Sequence, residues 1–332
     1  MMYGRREVSI TFKKPDSEGR ITHLIVLVHG LMGFVSDFDY IRDHILDKCP
    51  GGILVVTPRE NHGFASHEGI DIGGSRIAKR ILQTVKEFPE LQTLSVVAHS
   101  LGGLFTRYAL KELRDEGITL EFNVFITLAT PHLGSRQHIK VPIWKDFSEA
   151  VMRLGGSRSV RQLLLLDGDE KEDPLVVQMT SDDYLKPLRE FKKRIAYSCI
   201  RGDTTVHYST AAIKCKNPYK KASMPLPMLK DYPGIIDDDA VAKMVNLDDG
   251  ELTQSFSDGS GPLGAKMKTM LERLNQLKWE KFAVQLGIIT GHVDIVVQNK
   301  YWNSIGYPVV SHFLQFLNFE DQAKKSFELG DE

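Results

Sequence analysis

The sequence predicts an α/β fold, a mostly parallel sheet with helices on both faces, and three observations lead there. Short runs of Val, Ile and Leu recur along the chain and end at turn residues; segments with helical apolar spacing separate them; and one run leads directly into a serine followed by a glycine-rich helix start. Apolar runs alternating with amphipathic helices are the pattern of a parallel sheet covered on both faces.

The strands are HLIVLVHG (23–30), GILVVTP (52–58), TLSVVAHS (93–100), FNVFITLATP (122–131), RIAYSCI (194–200) and EKFAVQL (280–286). Between the second and third, SRIAKRILQTVKEF (75–88) sets Ile77, Ile81, Leu82, Val85 and Phe88 on one helical face, with Gly74 before it. After the third, LFTRYALKELRDEG (104–117) spaces Leu104, Tyr108, Leu110 and Leu113 in helical fashion until Gly117 ends the run. Two stretches interrupt this order. IWKDFSEAVMRL (143–154) carries Trp144, Phe147, Val151 and Leu154 on one stripe and VRQLLLLD (160–167) follows, so residues of about 136–190 read as a helical cap-like insertion. Its stripes either bury against the core or line an acyl-chain site. Residues of about 214–278 are rich in Pro, Gly, Asp and Lys and read as loop-rich.

With 332 residues, 42% hydrophobic and 26% charged, the chain can bury a sizeable core, and one domain over 1–332 is expected. A net charge of −1, from 42 basic and 43 acidic side chains, creates no overall field to recruit nucleic acid. No apolar run reaches the length of a signal peptide or a membrane span, and Cys49, Cys199 and Cys215 form neither a metal pattern nor a disulfide framework. The expectation is a soluble cytoplasmic protein without a transmembrane segment.

The chemistry concentrates in VVAHSLGG (96–103). A strand runs through Ala98 and His99 into Ser100 and a helix starts at once, which puts the serine on a sharp turn with its hydroxyl above the strand ends. Small residues two before and two after it, Ala98 and Gly102, let strand and helix pass without collision. Such a serine can also cap a helix or hold an anion. Acyl transfer further needs backbone N–H groups aimed at a developing oxyanion. Leu101, directly after the serine, supplies one; LVHGLMG (27–33) ends an earlier strand and places the Leu31 N–H as the second, with Gly30 admitting the loop shape and His29 bracing it.

VLVHGLMG (26–33), VVAHSLGG and ITLATPHLGSR (126–136) together resemble the "putative serine esterase" family of eukaryotic α/β-hydrolases, lipase-like proteins grouped as a domain of unknown function. HEGIDIGGSRIA (67–78) and QLLLLDGDEKEDPLVVQMTSD (162–182) are similar to further segments of that family, so the resemblance runs over roughly residues 22–314. It implies the α/β-hydrolase fold and hydrolysis of glycerolipid or other carboxylic esters, without fixing the substrate.

In this fold acid and base follow the serine in that order. RIAYSCIRGDTTVHYSTAAI (194–213) is a strand followed by Gly202-Asp203, which puts the Asp203 carboxylate at a strand end; the family has an aspartate there too, ahead of a Val-Pro that is Val206-His207 in this chain. For the base, His207 lies too close to Asp203 in sequence, and His312 sits in GYPVVSHFLQFL (306–317), an apolar helix pattern. His292, in LGIITGHVDIVV (286–297), follows the last strand in a loop that resembles the family's histidine loop. The expected machinery is therefore Ser100, Asp203 and His292, acting through an acyl-enzyme with no metal or organic cofactor. His62 with His67, and His132 with His138, match no ligand pattern. An acyltransferase or thioesterase would use the same triad, and a non-catalytic lipid-binding protein could keep the elbow. The expected partner is an acyl ester, met in solution or at the surface of a lipid droplet or organelle membrane.

Overall fold

The computed structural model describes residues 10–13, 20–135, 157–221, 225–245 and 262–317. The strands are β1 (Ile10–Lys13), β2 (His23–Val28), β3 (Ile53–Val56), β4 (Thr93–His99), β5 (Glu121–Leu128), β6 (Lys193–Arg201) and β7 (Glu280–Gln285). The helices are α1 (Asp39–Lys48), α2 (Ile70–Glu87), α3 (Gly102–Asp115), α4 (Arg158–Leu163), α5 (Leu175–Gln178), α6 (Asp182–Arg189), α7 (Tyr208–Ala211), α8 (Asp238–Val245), α9 (Pro262–Asn275), α10 (Gly291–Asp294) and α11 (Tyr307–Leu314).

The strands form one sheet in the order β1-β3-β2-β4-β5-β6-β7, parallel except for β1, which runs antiparallel to β3. The order reverses at β2 and β4. The chain leaves β2 outward to β3, crosses back to β4, and then steps steadily toward β7, so the loops after β2 and β4 diverge and open a crevice at their carboxyl ends.

Alternate residues of each strand face opposite layers. Leu24, Val26, Val28, Leu94, Val96 and Ala98 pack with Ile77 and Ile81 of α2, Leu104 and Phe105 of α3, and Met270 and Leu274 of α9. Ile25, Leu27, Val97, Val124 and Ile126 pack with Ile41 and Ile45 of α1 and Val309, Val310 and Phe313 of α11. Each fully buried Leu, Ile or Val side chain contributes roughly 1.5–3 kcal/mol relative to an exposed one, so both faces hold the sheet.

All six strands read from the sequence are present, and two readings change. Helix α2 begins at Ile70, ahead of Gly74, and carries Gly73 and Gly74 within its first turns because Phe105 and Tyr108 of α3 press against them; these glycines serve close helix packing. The stretch read as loop-rich contains α8 and the 14-residue α9, whose Met267, Met270, Leu271 and Leu274 are buried at helical spacing behind a proline start. Trp144, Phe147, Val151 and Leu154 lie outside the described residues. The neighbouring VRQLLLLD stripe does two things: Leu163 and Leu165 join the main core, while Val160 and Leu164 pack against Leu31. Among the described residues no helix is long and apolar enough to cross a membrane.

Candidate active site

The turn from β4 into α3 puts Ser100 at φ 54°, a left-handed conformation that costs a non-glycine residue on the order of 1–3 kcal/mol. Neighbouring backbone holds it there: Ser100 N–H donates to the Leu128 carbonyl at 2.9 Å, and Gly103 N–H donates to the Ser100 carbonyl at 3.2 Å. A side chain at Gly102 would collide with the carbonyl of Val28, and one at Gly30 would come within 2.7 Å of Ser100 Cβ. These glycines, with Ala98 fully buried on β4, allow the elbow and the loop after β2 to touch.

Around Ser100 the structure brings together three residues from separate strand ends. His292 Nε2 lies 3.0 Å from Ser100 Oγ, and His292 Nδ1 lies 2.8 Å from Asp203 Oδ2. With Nδ1–H donating to the carboxylate, Nε2 is left to accept from the serine hydroxyl. The Asp203 side chain is 2% exposed, and its other oxygen accepts from the N–H groups of Thr205 at 2.8 Å and Val206 at 2.7 Å. Burial alone pushes this carboxyl up, but His292 and the two backbone donors outweigh it and hold the group below the usual aspartate range. His207 caps α7 with φ −66°, an angle a proline ring could also adopt.

The acid and base loops lock onto each other. Gly202 has φ +78° and sits so close to the Gly287 carbonyl that no side chain fits, while Gly291 N–H donates to the Gly202 carbonyl at 3.1 Å. Two residues past His292, the buried Asp294 carboxylate accepts from Gly287 N–H at 3.1 Å, Thr290 Oγ1 at 2.7 Å and Asn303 Nδ2 at 2.6 Å. Gln298 Nε2 donates to Asp37 Oδ1 at 2.9 Å, and Asp37 Oδ2 accepts from Phe34 N–H, which ties this region to the loop after β2. His99 donates from Nε2 to the His292 carbonyl at 2.8 Å. Burial and the neighbouring His292 push its pKa down to about 3.

In the loop after β2, Met32 N–H donates to Ser66 Oγ at 2.8 Å and Val35 N–H to His62 Nε2 at 3.2 Å; His29 donates from Nδ1 to the Gly30 carbonyl at 3.1 Å. Among the described residues no acceptor faces the N–H of Leu31 or of Leu101. Both residues line an open cavity of about 190 Å³ that contains Ser100 and is also lined by Val160, Leu163 and Val206. His312 lies elsewhere: in α11 its Nδ1 accepts from Tyr197 Oη at 2.6 Å among aromatic rings, and burial lowers its pKa to about 4. A second Ser–His contact, His23 Nε2 to Ser95 Oγ at 2.8 Å, is buried toward the amino ends of β2 and β4, away from the crevice. Among the described residues no group of three His, Cys, Asp or Glu is placed to hold a metal; His132 is buried against Thr127 Oγ1, and His138 lies outside the described residues.

Sequence reasoning passed over Asp37, Ser66, Asp294, Gln298 and Asn303. An aspartate two residues after the loop histidine was a usable signal, but an isolated loop carboxylate reads as solvated until its donors are seen.

A parallel sheet with a crevice at its switch point and a left-handed serine after β4 defines an α/β-hydrolase. The chain belongs to the family described as "Putative serine esterase (DUF676)", which matches residues 19–217. It is similar to "Putative lipase C4A8.10" of Schizosaccharomyces pombe, 28% identical over 207 residues covering 58% of this chain and 26% of that one. It is also similar to "Putative lipase ROG1" of Saccharomyces cerevisiae, 30% identical over 204 residues covering 58% and 28%. The matched stretch thus spans little more than a quarter of these relatives' length. Among solved structures, the Bacillus licheniformis lipase BlEst2 in its propeptide form is similar at 17% identity with a TM-score of 0.42, covering 60% of this chain and 42% of that one.

Proposed function

We propose that this chain is a carboxylic ester hydrolase, acting on glycerolipid or other acyl esters through an acyl-enzyme on Ser100. The observation that carries the reading is the unbroken line of hydrogen bonds from Ser100 Oγ through both nitrogens of His292 to Asp203, at 3.0 and 2.8 Å, beneath a left-handed turn. Ser100 Oγ attacks the ester carbonyl while His292 Nε2 takes its proton; Asp203 keeps the imidazole oriented and stabilises its charged form. The N–H groups of Leu31 and Leu101 receive the oxyanion. His292 passes the proton to the departing alcohol. Water then attacks the acyl-enzyme by the reverse route and releases the acid. An acceptor alcohol or thiol in place of water would make the same intermediate an acyltransferase.

An acyl substrate is supported by the apolar cavity walls, Leu31, Val160, Leu163 and Val206. Work at a droplet or membrane surface is supported by large apolar side chains beside the base: Ile288 is 91% exposed, Ile289 72% and Trp302 85%. The Asp294 carboxylate fastens Gly287 and Asn303, the immediate neighbours of Ile288 and Trp302, so these side chains emerge from one place.

The test is labelling of the purified protein with a fluorophosphonate probe and turnover of a glycerolipid ester panel. Ser100→Ala is expected to lose both by about a thousandfold or more while keeping its thermal unfolding profile. Undiminished turnover in that variant removes the reading.

A further inference from the structure

We propose that His99 is a positioning residue: through its ring N–H it holds the main chain of His292 and so sets the distance between the nucleophile and its base. The role rests on the triad reading above, but the bond itself does not depend on it.

His99 is the covalent neighbour of Ser100, and its Nε2 lies 2.8 Å from the His292 carbonyl oxygen, 193 positions away. A carbonyl oxygen only accepts, so the bond requires the Nε2–H tautomer of His99. The two rings also pack together, with centroids 4.6 Å apart and planes tilted by 45°. A short circuit results. Ser100 reaches His292 from one side through its own hydroxyl, and from the other through one peptide unit, the His99 ring and the His292 carbonyl. Other ties on the base loop run elsewhere: Gly291 N–H to Gly202 and its carbonyl to Cys199 Sγ of β6, Asp294 to Gly287, Thr290 and Asn303, and Gln298 to Asp37. The Asp294 bonds brace this loop internally, Gly291 ties it to the loop carrying Asp203, and Gln298 ties it to the loop after β2. The His99 bond fixes it relative to the strand that carries the nucleophile.

The position suits a neutral donor. His292 becomes an imidazolium during each turnover, and a second positive charge at 4.6 Å would oppose it. Burial and the neighbouring His292 ring keep the His99 ring uncharged against the opposing pull of its own bond to the His292 carbonyl and of Asp203. An aliphatic residue would leave the buried His292 carbonyl without its donor and the base free to shift, and a displacement of about 1 Å can cost on the order of a hundredfold in rate.

Two measurements test the proposal. In wild-type protein with nitrogen-15-labelled histidine, the signal that disappears in His99→Gln is expected to report an Nε2–H imidazole that stays neutral from about pH 8 to 5, where an ordinary histidine titrates. In kinetics, His99→Leu is expected to lower kcat and the probe-labelling rate about 10- to 100-fold with KM unchanged. His99→Gln, whose amide nitrogen sits near the position of Nε2 and donates, is expected to restore most of that loss. An Nδ1–H tautomer, or a titrating signal, overturns the proposal. So does a His99→Leu protein with wild-type kcat, or Leu and Gln variants equally impaired at matched folded fraction, since the ring volume alone would then matter. A wild-type protein that neither labels nor turns over esters removes the hydrolase reading instead, and the nitrogen spectrum still decides the His99 bond.

Discussion

Two histidines near the end of the chain have opposite environments, and the difference is one of hydrogen-bond partners. His292 faces a hydroxyl and a carboxylate in a crevice; His312 faces one phenol inside an aromatic cluster. His292→Ala is expected to abolish probe labelling in a protein that still folds, because Ser100 loses its proton acceptor. His312→Ala is expected to keep its activity per folded molecule and to lose about 1–3 kcal/mol in a denaturant titration, since it strands the buried Tyr197 hydroxyl. The reverse pattern would transfer the base to α11. At this scale the sequence was most legible where chemistry demands a fixed order: Ser100, Asp203 and His292, picked out in that order, lie within hydrogen-bonding distance of one another along one line. It was least legible where a side chain works through others: nothing about Asp294 or Asp37 in isolation says that each gathers donors from distant loops.

Among the elements, the strands were legible because a central parallel strand is buried on both faces and must be continuously apolar, as ILVV (53–56) and LIVLV (24–28) are. The four-residue edge strand β1 and helix α1, with only Ile41 and Ile45 buried, carry too little pattern to announce themselves. Helix α9 was obscured by the Gly-Pro sequence that starts it. The clamp between the loops after β6 and β7 is the element-scale feature on which the site depends most. Gly202→Ala combines a forbidden backbone angle with a collision against the Gly287 carbonyl, so the two loops must separate. The expected outcome is loss of labelling together with a lowered unfolding temperature, whereas Ala at the open, equally left-handed Gly117, which has nothing nearby to strike, should cost stability alone. A fully active Gly202→Ala protein would show that the clamp is dispensable.

The molecule as a whole carries buried histidines that stay neutral in the fold. Burial lowers His99 to about 3 and His312 to about 4, and puts His132 well below its ordinary 6.5. The unfolded chain takes up protons at these positions as pH falls through 6.5, and the folded chain does not, so protons favour unfolding. Their contribution to stability is complete above that value and is lost progressively toward the folded-state values. Asp203, itself lowered, adds a loss in the same direction below the ordinary aspartate range. The unfolding temperature is therefore expected to fall steadily between about pH 7 and pH 4.5, before most carboxylates titrate. A flat profile over that interval would contradict the burial of these rings.

The Ser100–His292 bond joins positions 192 apart, and the loop carrying His292 follows β7, which pairs with β6 on one side and is held on the other by hydrogen bonds to Gly234 and Ile236. Bringing residues so far apart in sequence together carries a loop-closure cost that the packed sheet must meet first. The Ser100–His292–Asp203 line is therefore expected to be complete only once β7 and the loop after it have joined the rest of the sheet.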